Sequence, residues 1–282
     1  MNGGAAAGER PPAQKLADLR EILRPLDQAV VAFSGGVDST FLLRIAADTL
    51  RDRVTALTAV SPSLPETDRR RARHLARKIG VDQVIVESRE MDDPGYTAND
   101  AKRCYFCKSE LYRLCADQAL RLGVPAILDG TNVDDLADHR PGRRAARERG
   151  VRSPLVEAGF TKADIRALSR ELGLETWDQP SSPCLSSRIA YGTPVTREAL
   201  ARVERCERFL RDMGFRDLRV RHHDTLARVE VGPGEIDRLL DPGLRARIID
   251  HFKEAGYVYV TLDLEGFRSG SGNEVLADPS SR

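Results

Sequence analysis

The chain has 282 residues, 41% of them apolar, enough to bury one substantial core and a second, smaller one. Charged residues make up 31% but cancel to a formal net charge of +1, which excludes a global field favouring nucleic acid or anionic membrane, so any basic site must be local. No apolar run approaches the roughly 18 residues of a membrane span, the Ala/Gly/Pro-rich start lacks an apolar signal core, and five scattered cysteines suit reduced thiols better than a disulfide framework. A cytoplasmic globular chain is expected, with a disordered stretch over residues 1–15.

The first predicted strand, 29–33, is a β-branched run ending in Ser34-Gly35-Gly36-Val37-Asp38-Ser39; from residue 40 to 50 apolar residues then recur at helical spacing. Two glycines at a strand-to-helix turn let backbone N–H groups approach an anion, and Ser34, Ser39 and Thr40 add hydroxyls. Further strands are predicted at 54–60, 83–87 and 126–128, with helices at 66–79 and 108–122 between them. A helix at 162–172 is introduced by Thr161 and stopped by Gly173. This alternation predicts an α/β, doubly wound parallel sheet over residues 16–193. Beyond a boundary near 193–196 come a helix (197–213), strands at 218–221 and 226–231, a helix (235–255) and a strand (257–262). They predict a smaller C-terminal α+β domain over 194–270, followed by a tail, 271–282.

The glycine loop lacks the lysine of a Walker motif and suits a pyrophosphate leaving group. The string SGGVDS resembles the N-type ATP pyrophosphatase superfamily, whose adenine nucleotide alpha hydrolase-like (HUP-type) fold the predicted sheet matches. That resemblance implies ATP held by Ser34, Gly35, Gly36, Val37, Asp38 and Ser39, with Mg2+ neutralising the polyphosphate and Asp38 contributing to its site. It also implies adenine and ribose contacts at two other strand ends, Ser61 and the turn Gly130-Thr131-Asn132.

Cys104 and Cys107 form a CxxC flanked by Arg103 and Lys108 at a predicted helix entrance, and Cys184 lies four residues before Arg188. Three thiols are one short of a structural zinc site, which points to a site with an open position, an iron-sulfur cluster or a catalytic thiol. The neighbouring cations favour thiolates. Cys115 reads as packing, and Cys206 has no recognisable context. His222 and His223 are adjacent on a strand, diverge, and share no metal.

Four strings together, SGGVDS, NVDDLADHRPG (132–142), PCLSSRIAYGTPVT (183–196) and DLEGFRSG (263–270), resemble the LarE family of ATP-dependent sulfur transferases, over nearly the whole folded chain. The resemblance implies adenylation of a pyridinium carboxylate mononucleotide, with release of AMP and pyrophosphate, in nickel-pincer nucleotide cofactor biosynthesis. Cys184 would be the catalytic sulfur-bearing residue, in one of two ways: it gives up its own sulfur and becomes dehydroalanine, or Cys104, Cys107 and Cys184 bind a four-iron four-sulfur cluster that holds a transferable sulfide. Arg188, Glu207, Arg219 and Arg221 would line the substrate site; Arg219 and Arg221 alternate on one strand, which suits a phosphate clamp. A homo-oligomer is expected, without membrane or nucleic acid. Six arginines between His139 and Arg152 read as a solvated loop. The competing functions are a tRNA thiolase with an iron-sulfur cluster and a nucleotide-binding regulator without turnover.

Overall fold

The structure is a computed structural model and describes residues 10–137, 142–180, 182–268 and 270–274. The elements in chain order are α1 (Pro12–Leu23), β1 (Ala29–Ala32), α2 (Val37–Leu50), β2 (Val54–Val60), α3 (Glu66–Ile79), β3 (Asp82–Glu87), α4 (Pro94–Thr97), α5 (Arg103–Leu122), β4 (Ala126–Leu128), α6 (Asp134–Ala137), α7 (Gly142–Glu148), α8 (Pro154–Glu157), α9 (Lys162–Glu171), α10 (Arg197–Asp212), β5 (Leu218–His223), β6 (Leu226–Val231), α11 (Pro242–Glu254) and β7 (Tyr259–Leu262). They form two compact units. The first comprises residues up to 59, 67–87 and 108–179; the second comprises 60–66, 88–107 and the residues from 180 on.

In the first unit four strands lie in the order β3-β2-β1-β4, parallel, with Val30 opposite Thr55 on one side and Ile127 on the other. Side chains alternate across a strand. Ala29, Val31 and Phe33 therefore enter one apolar cluster with Leu19, Phe41, Leu42, Leu75 and Ile165, while Val30 enters another with Leu57, Cys115 and Ala119. Helices thus cover both faces of the sheet, as the βα alternation predicts. With β1 central and the crossovers running to β2 on one side and β4 on the other, the carboxyl ends of β1 and β4 flank a topological switch point, where open α/β sheets bind ligands.

Helix α1 carries little apolar periodicity to announce it. Leu19 and Leu23 are buried, and Lys15 is buried by pairing with Asp164 at 2.6 Å. Asp164 also completes the capping box of α9 with Thr161, so one carboxylate ties two helices together.

In the second unit β5 and β6 pair antiparallel and β6 and β7 parallel. Helices α10 and α11 supply Cys206, Leu210, Ile248 and Phe252 to a core with Val220, Val229 and Val231. The continuous helix expected over 235–255 is instead a 3-10 stretch, Pro233–Leu240, followed by α11. Asp241 and Pro242 separate them, with Asp241 capping the second helix by accepting the Leu244 N–H at 2.7 Å.

The arginine segment is also corrected. Residues 138–141 lie outside the described residues, as do the start (1–9) and most of the tail (275–282). From 142 onward, however, the chain forms α7 with Ala145 and Ala146 buried, and Arg152 hydrogen-bonds the β4 edge and pairs with Glu157.

Candidate functional site

The phosphate loop lies in the first unit, between β1 and α2. Gly35 has φ +71, and a Cβ on it would stand 2.9 Å from the Ala72 Cα of α3, so both backbone conformation and packing require glycine. Arg71 donates to the Gly35 carbonyl at 3.1 Å. Gly36 caps α2 without a side chain, leaving the first-turn N–H groups of a 14-residue helix to an anion. The Ser34 and Ser39 hydroxyls face each other at 3.1 Å. Gly130 packs against the same turn, where a Cβ would lie 2.9 Å from the Ser39 amide nitrogen.

Asp129 orders the turn after β4. It accepts from the Tyr112 hydroxyl at 2.6 Å, the Thr131 hydroxyl at 2.9 Å and the Ser153 hydroxyl at 2.7 Å. Asn132 is buried and accepts from the Asp134 N–H at 2.9 Å. Asp38 pairs through Oδ2 with Lys162, the first residue of α9, whereas its Oδ1 is buried with no hydrogen-bond partner. Lys162 was not singled out from the sequence; its place one residue after a helix cap, 124 residues from Asp38, gave no signal. An orphaned carboxylate oxygen beside a phosphate loop fits a hard cation such as Mg2+.

The second unit holds Ser61 and all three singled-out cysteines. The Ser61 hydroxyl donates to the buried Glu90 at 2.7 Å, and the Ser63 hydroxyl does so at 2.5 Å. Helix α5 begins at Arg103, not near 108, so Cys104 and Cys107 occupy its first turns; Cys104 is exposed and Cys107 half-buried. Cys107 packs against the cluster of Tyr96, Leu185, Ile189 and Val195. Cys184 is half-buried and starts the 3-10 turn Leu185–Arg188. Cys115 and Cys206 are fully buried, and burial pushes both thiols up to about 12, so neither is a nucleophile.

Arg188 is buried behind Cys184. Its Nε and Nη2 meet Glu207 at 2.8 and 3.2 Å, and its Nη1 donates to the carbonyls of Pro183 and Cys184, the latter at 3.0 Å. Glu207 also pairs with Arg211 at 2.8 Å. Burial works to raise the Glu207 pKa, but Arg188 and Arg211 outweigh it and hold the carboxylate charged. Arg188 and Glu207, expected at the substrate surface, are thus enclosed and occupied with each other.

Arg219 and Arg221 share a face of β5 but are buried, unlike an exposed strand face. Arg221 forks onto Glu230 at 2.8 and 2.9 Å and donates to the Ser187 carbonyl at 3.0 Å. Arg219 lies over the Phe267 ring at 4.8 Å. Its pKa is pushed down to about 10, by burial first and then by Arg188, with Glu207 opposing. Arg188, Arg211 and Arg219 thus gather at the buried Glu207, and Arg221 and Arg228 at the buried Glu230.

Among the described residues no group of three or more His, Cys, Asp or Glu converges as a single metal ion would require, and no helix is long and apolar enough to cross a membrane. His222 is engaged by the Tyr257 hydroxyl at 3.0 Å.

Residues 19–100 match a family model described as NAD synthase. A protein of Synechocystis sp., described as uncharacterized, is 47% identical over 262 residues, spanning 93% of this chain and 98% of its own length. The pyridinium-3,5-bisthiocarboxylic acid mononucleotide synthase of Lactiplantibacillus plantarum is 40% identical over 265 residues, 94% of this chain and 95% of its own. More distantly, a probable tRNA sulfurtransferase of Methanobrevibacter smithii is 25% identical over 131 residues, 46% of this chain and 33% of its own.

Proposed function

Because the chain belongs to the LarE family, that of the pyridinium-3,5-bisthiocarboxylic acid mononucleotide synthase, we propose that it adenylates a pyridinium carboxylate mononucleotide and replaces the activated oxygen with sulfur, in nickel-pincer nucleotide assembly. The observation that carries this reading is a half-buried Cys184 held from behind by Arg188, in a unit that also gathers Arg219 and Arg221, while the other unit carries the phosphate loop.

A substrate carboxylate oxygen attacks the α phosphorus of ATP, the bond to the β-phosphate oxygen breaks, and pyrophosphate leaves. The N–H groups at the start of α2, with Ser34 and Ser39, take up its charge. Mg2+, when bound with the nucleotide, neutralises charge on the polyphosphate; Asp38 would hold it through its unpartnered oxygen, with Lys162 beside it. Gly130, Thr131 and Asn132 contact adenine and ribose through backbone groups. Arg219 and Arg221 hold the substrate phosphate, and Arg188 with Glu207 positions the Cys184 loop.

Sulfur held at Cys184 then attacks the acyl carbon and AMP departs. If the sulfur is the cysteine's own, a thioester forms. Loss of the Cα proton with cleavage of the Cβ–S bond then leaves the thiocarboxylate and a dehydroalanine. Cys104, Cys107 and Cys184 would hold a four-iron four-sulfur cluster, which when bound supplies a transferable sulfide and spares the cysteine. Three thiolates, each on a different iron, are the donors such a cluster takes when one iron is left open. The protein acts in the cytoplasm as a homo-oligomer.

The test is anaerobic purification followed by reaction with ATP and the pyridinium dicarboxylate mononucleotide. About four irons per chain and repeated turnover to the thiocarboxylate support the reading. A metal-free protein that loses the Cys184 sulfur once replaces the cluster with the cysteine as donor. Thiolation of tRNA instead of the pyridinium substrate overturns it.

A further inference from the structure

The segment before the CxxC carries a residue in an unusual state. Asn99 has φ +56 and a fully buried side chain. Asparagine tolerates this left-handed conformation better than most residues, but burying its amide requires partners. The acceptors of its Nδ2 lie about ninety residues away, in the loop that follows Cys184: Nδ2 donates to the carbonyls of Ala190 at 2.7 Å and Thr193 at 2.8 Å, and the Asn99 carbonyl accepts the Gly192 N–H at 3.2 Å. Oδ1 accepts from Arg103, whose Nη1 also donates to the Ser186 carbonyl at 2.9 Å. Arg103 is itself buried, and its guanidinium lies 5.4 Å from the Tyr191 ring centre.

Neighbouring bonds run the same way. The Val195 N–H donates to the Thr97 carbonyl at 2.9 Å, and the Tyr96 hydroxyl meets the Ser186 hydroxyl. From Ser186 to Val195 the loop is therefore gripped by one short segment, residues 96–103, which runs directly into the helix turn bearing Cys104 and Cys107.

We propose that Asn99 and Arg103 are positioning residues for sulfur transfer: a polar clasp that sets the Cys184 loop against the start of the CxxC helix. The proposal rests on the sulfur-transfer reading above and adds two residues to it. The clasp does not touch substrate; it limits how far Cys184 strays from the acyl carbon it must serve, and misplacement of a reacting group by about 1 Å costs about 100-fold in rate.

The variants are Arg103→Gln, Arg103→Lys and Asn99→Asp, the last keeping a residue that tolerates positive φ and still accepts from Arg103 while losing the amide donor. Two readouts are needed. In the first, pyrophosphate release and single-turnover thiocarboxylate formation are measured side by side. Arg103→Gln and Asn99→Asp should lower sulfur transfer about 100-fold with the ATP KM and pyrophosphate release unchanged, and Arg103→Lys, which keeps one donor for the Ser186 carbonyl, should recover part of the loss. In the second, amide hydrogen exchange on protein without ATP or metal should quicken across 185–195 and stay at the wild-type rate in β5 and β6.

Wild-type transfer rates in both Gln and Asp variants overturn the proposal, as do unchanged loop exchange or pyrophosphate release that falls in step with transfer. If the wild-type protein forms no thiocarboxylate at all, the sulfur-transfer reading has failed, and the exchange measurement alone decides whether the clasp exists.

Discussion

Replacing Gly130 with alanine probes how closely the turn after β4 must approach the phosphate loop. The added Cβ would stand 2.9 Å from the Ser39 nitrogen, 3.0 Å from the Ser39 Cα and 3.2 Å from the Asp38 carbonyl carbon. Carbon contacts become comfortable only near about 3.5 Å, so the two backbones must part by about 0.6 Å. Helix α2 cannot yield, because Phe41, Leu42, Leu43 and Ile45 behind it are fully buried, so the turn carrying Thr131 and Asn132 must move. Overpacking of this kind costs about 1–3 kcal/mol, and a displacement of this size at a nucleotide contact lowers adenylation by about 10- to 100-fold. Urea unfolding measures the first effect and substrate-dependent pyrophosphate release the second. Gly234→Ala, with no atom within 4 Å of its Cβ position, serves as the control and should change neither. A Gly130→Ala protein with wild-type unfolding and pyrophosphate release would refute the reasoning.

Two further perturbations concern buried ion pairs. Asp164 is desolvated, which raises its pKa, but hydrogen bonds from Lys15 and Thr161 outweigh this and leave it below the usual carboxylate value. A lowered folded-state pKa adds stability that is complete above the unfolded value, about 4, and is lost as pH falls through the folded one. Urea unfolding from pH 7 down to about 3 should therefore show stability falling below about pH 4, and Lys15→Met should flatten that slope while lowering stability at neutral pH. Glu207→Gln removes a buried charge from between Arg188 and Arg211; leaving Arg188 uncompensated should cost about 3–5 kcal/mol, read as a lowered unfolding midpoint.

How much the sequence disclosed depended on how local each signal was. The phosphate loop was plain because glycine, serine and the start of an apolar helix are contiguous, and β2, β4, β6 and α3 were bounded correctly by runs of one periodicity. Helix α1 escaped notice because its buried Lys15 is an ion-pair partner, not an apolar residue. The break before α11 is marked in the sequence by Pro242, inside an otherwise helical pattern. Alternation placed Arg219 and Arg221 on one face, but their burial depends on Glu230 and Phe267, which lie on other segments. Asn99 carried no signal at all: its importance lies in a backbone angle and in carbonyls ninety residues distant.

The central claim, that the phosphate loop activates a carboxylate for sulfur delivered at Cys184, is tested most directly by Cys184→Ala. Pyrophosphate release and thiocarboxylate formation should be followed together after adding ATP and the pyridinium dicarboxylate mononucleotide. The variant should still release pyrophosphate and accumulate the acyl adenylate while forming no thiocarboxylate. Thiocarboxylate formation at the wild-type rate without Cys184, or no pyrophosphate release from the wild-type protein itself, would contradict the account.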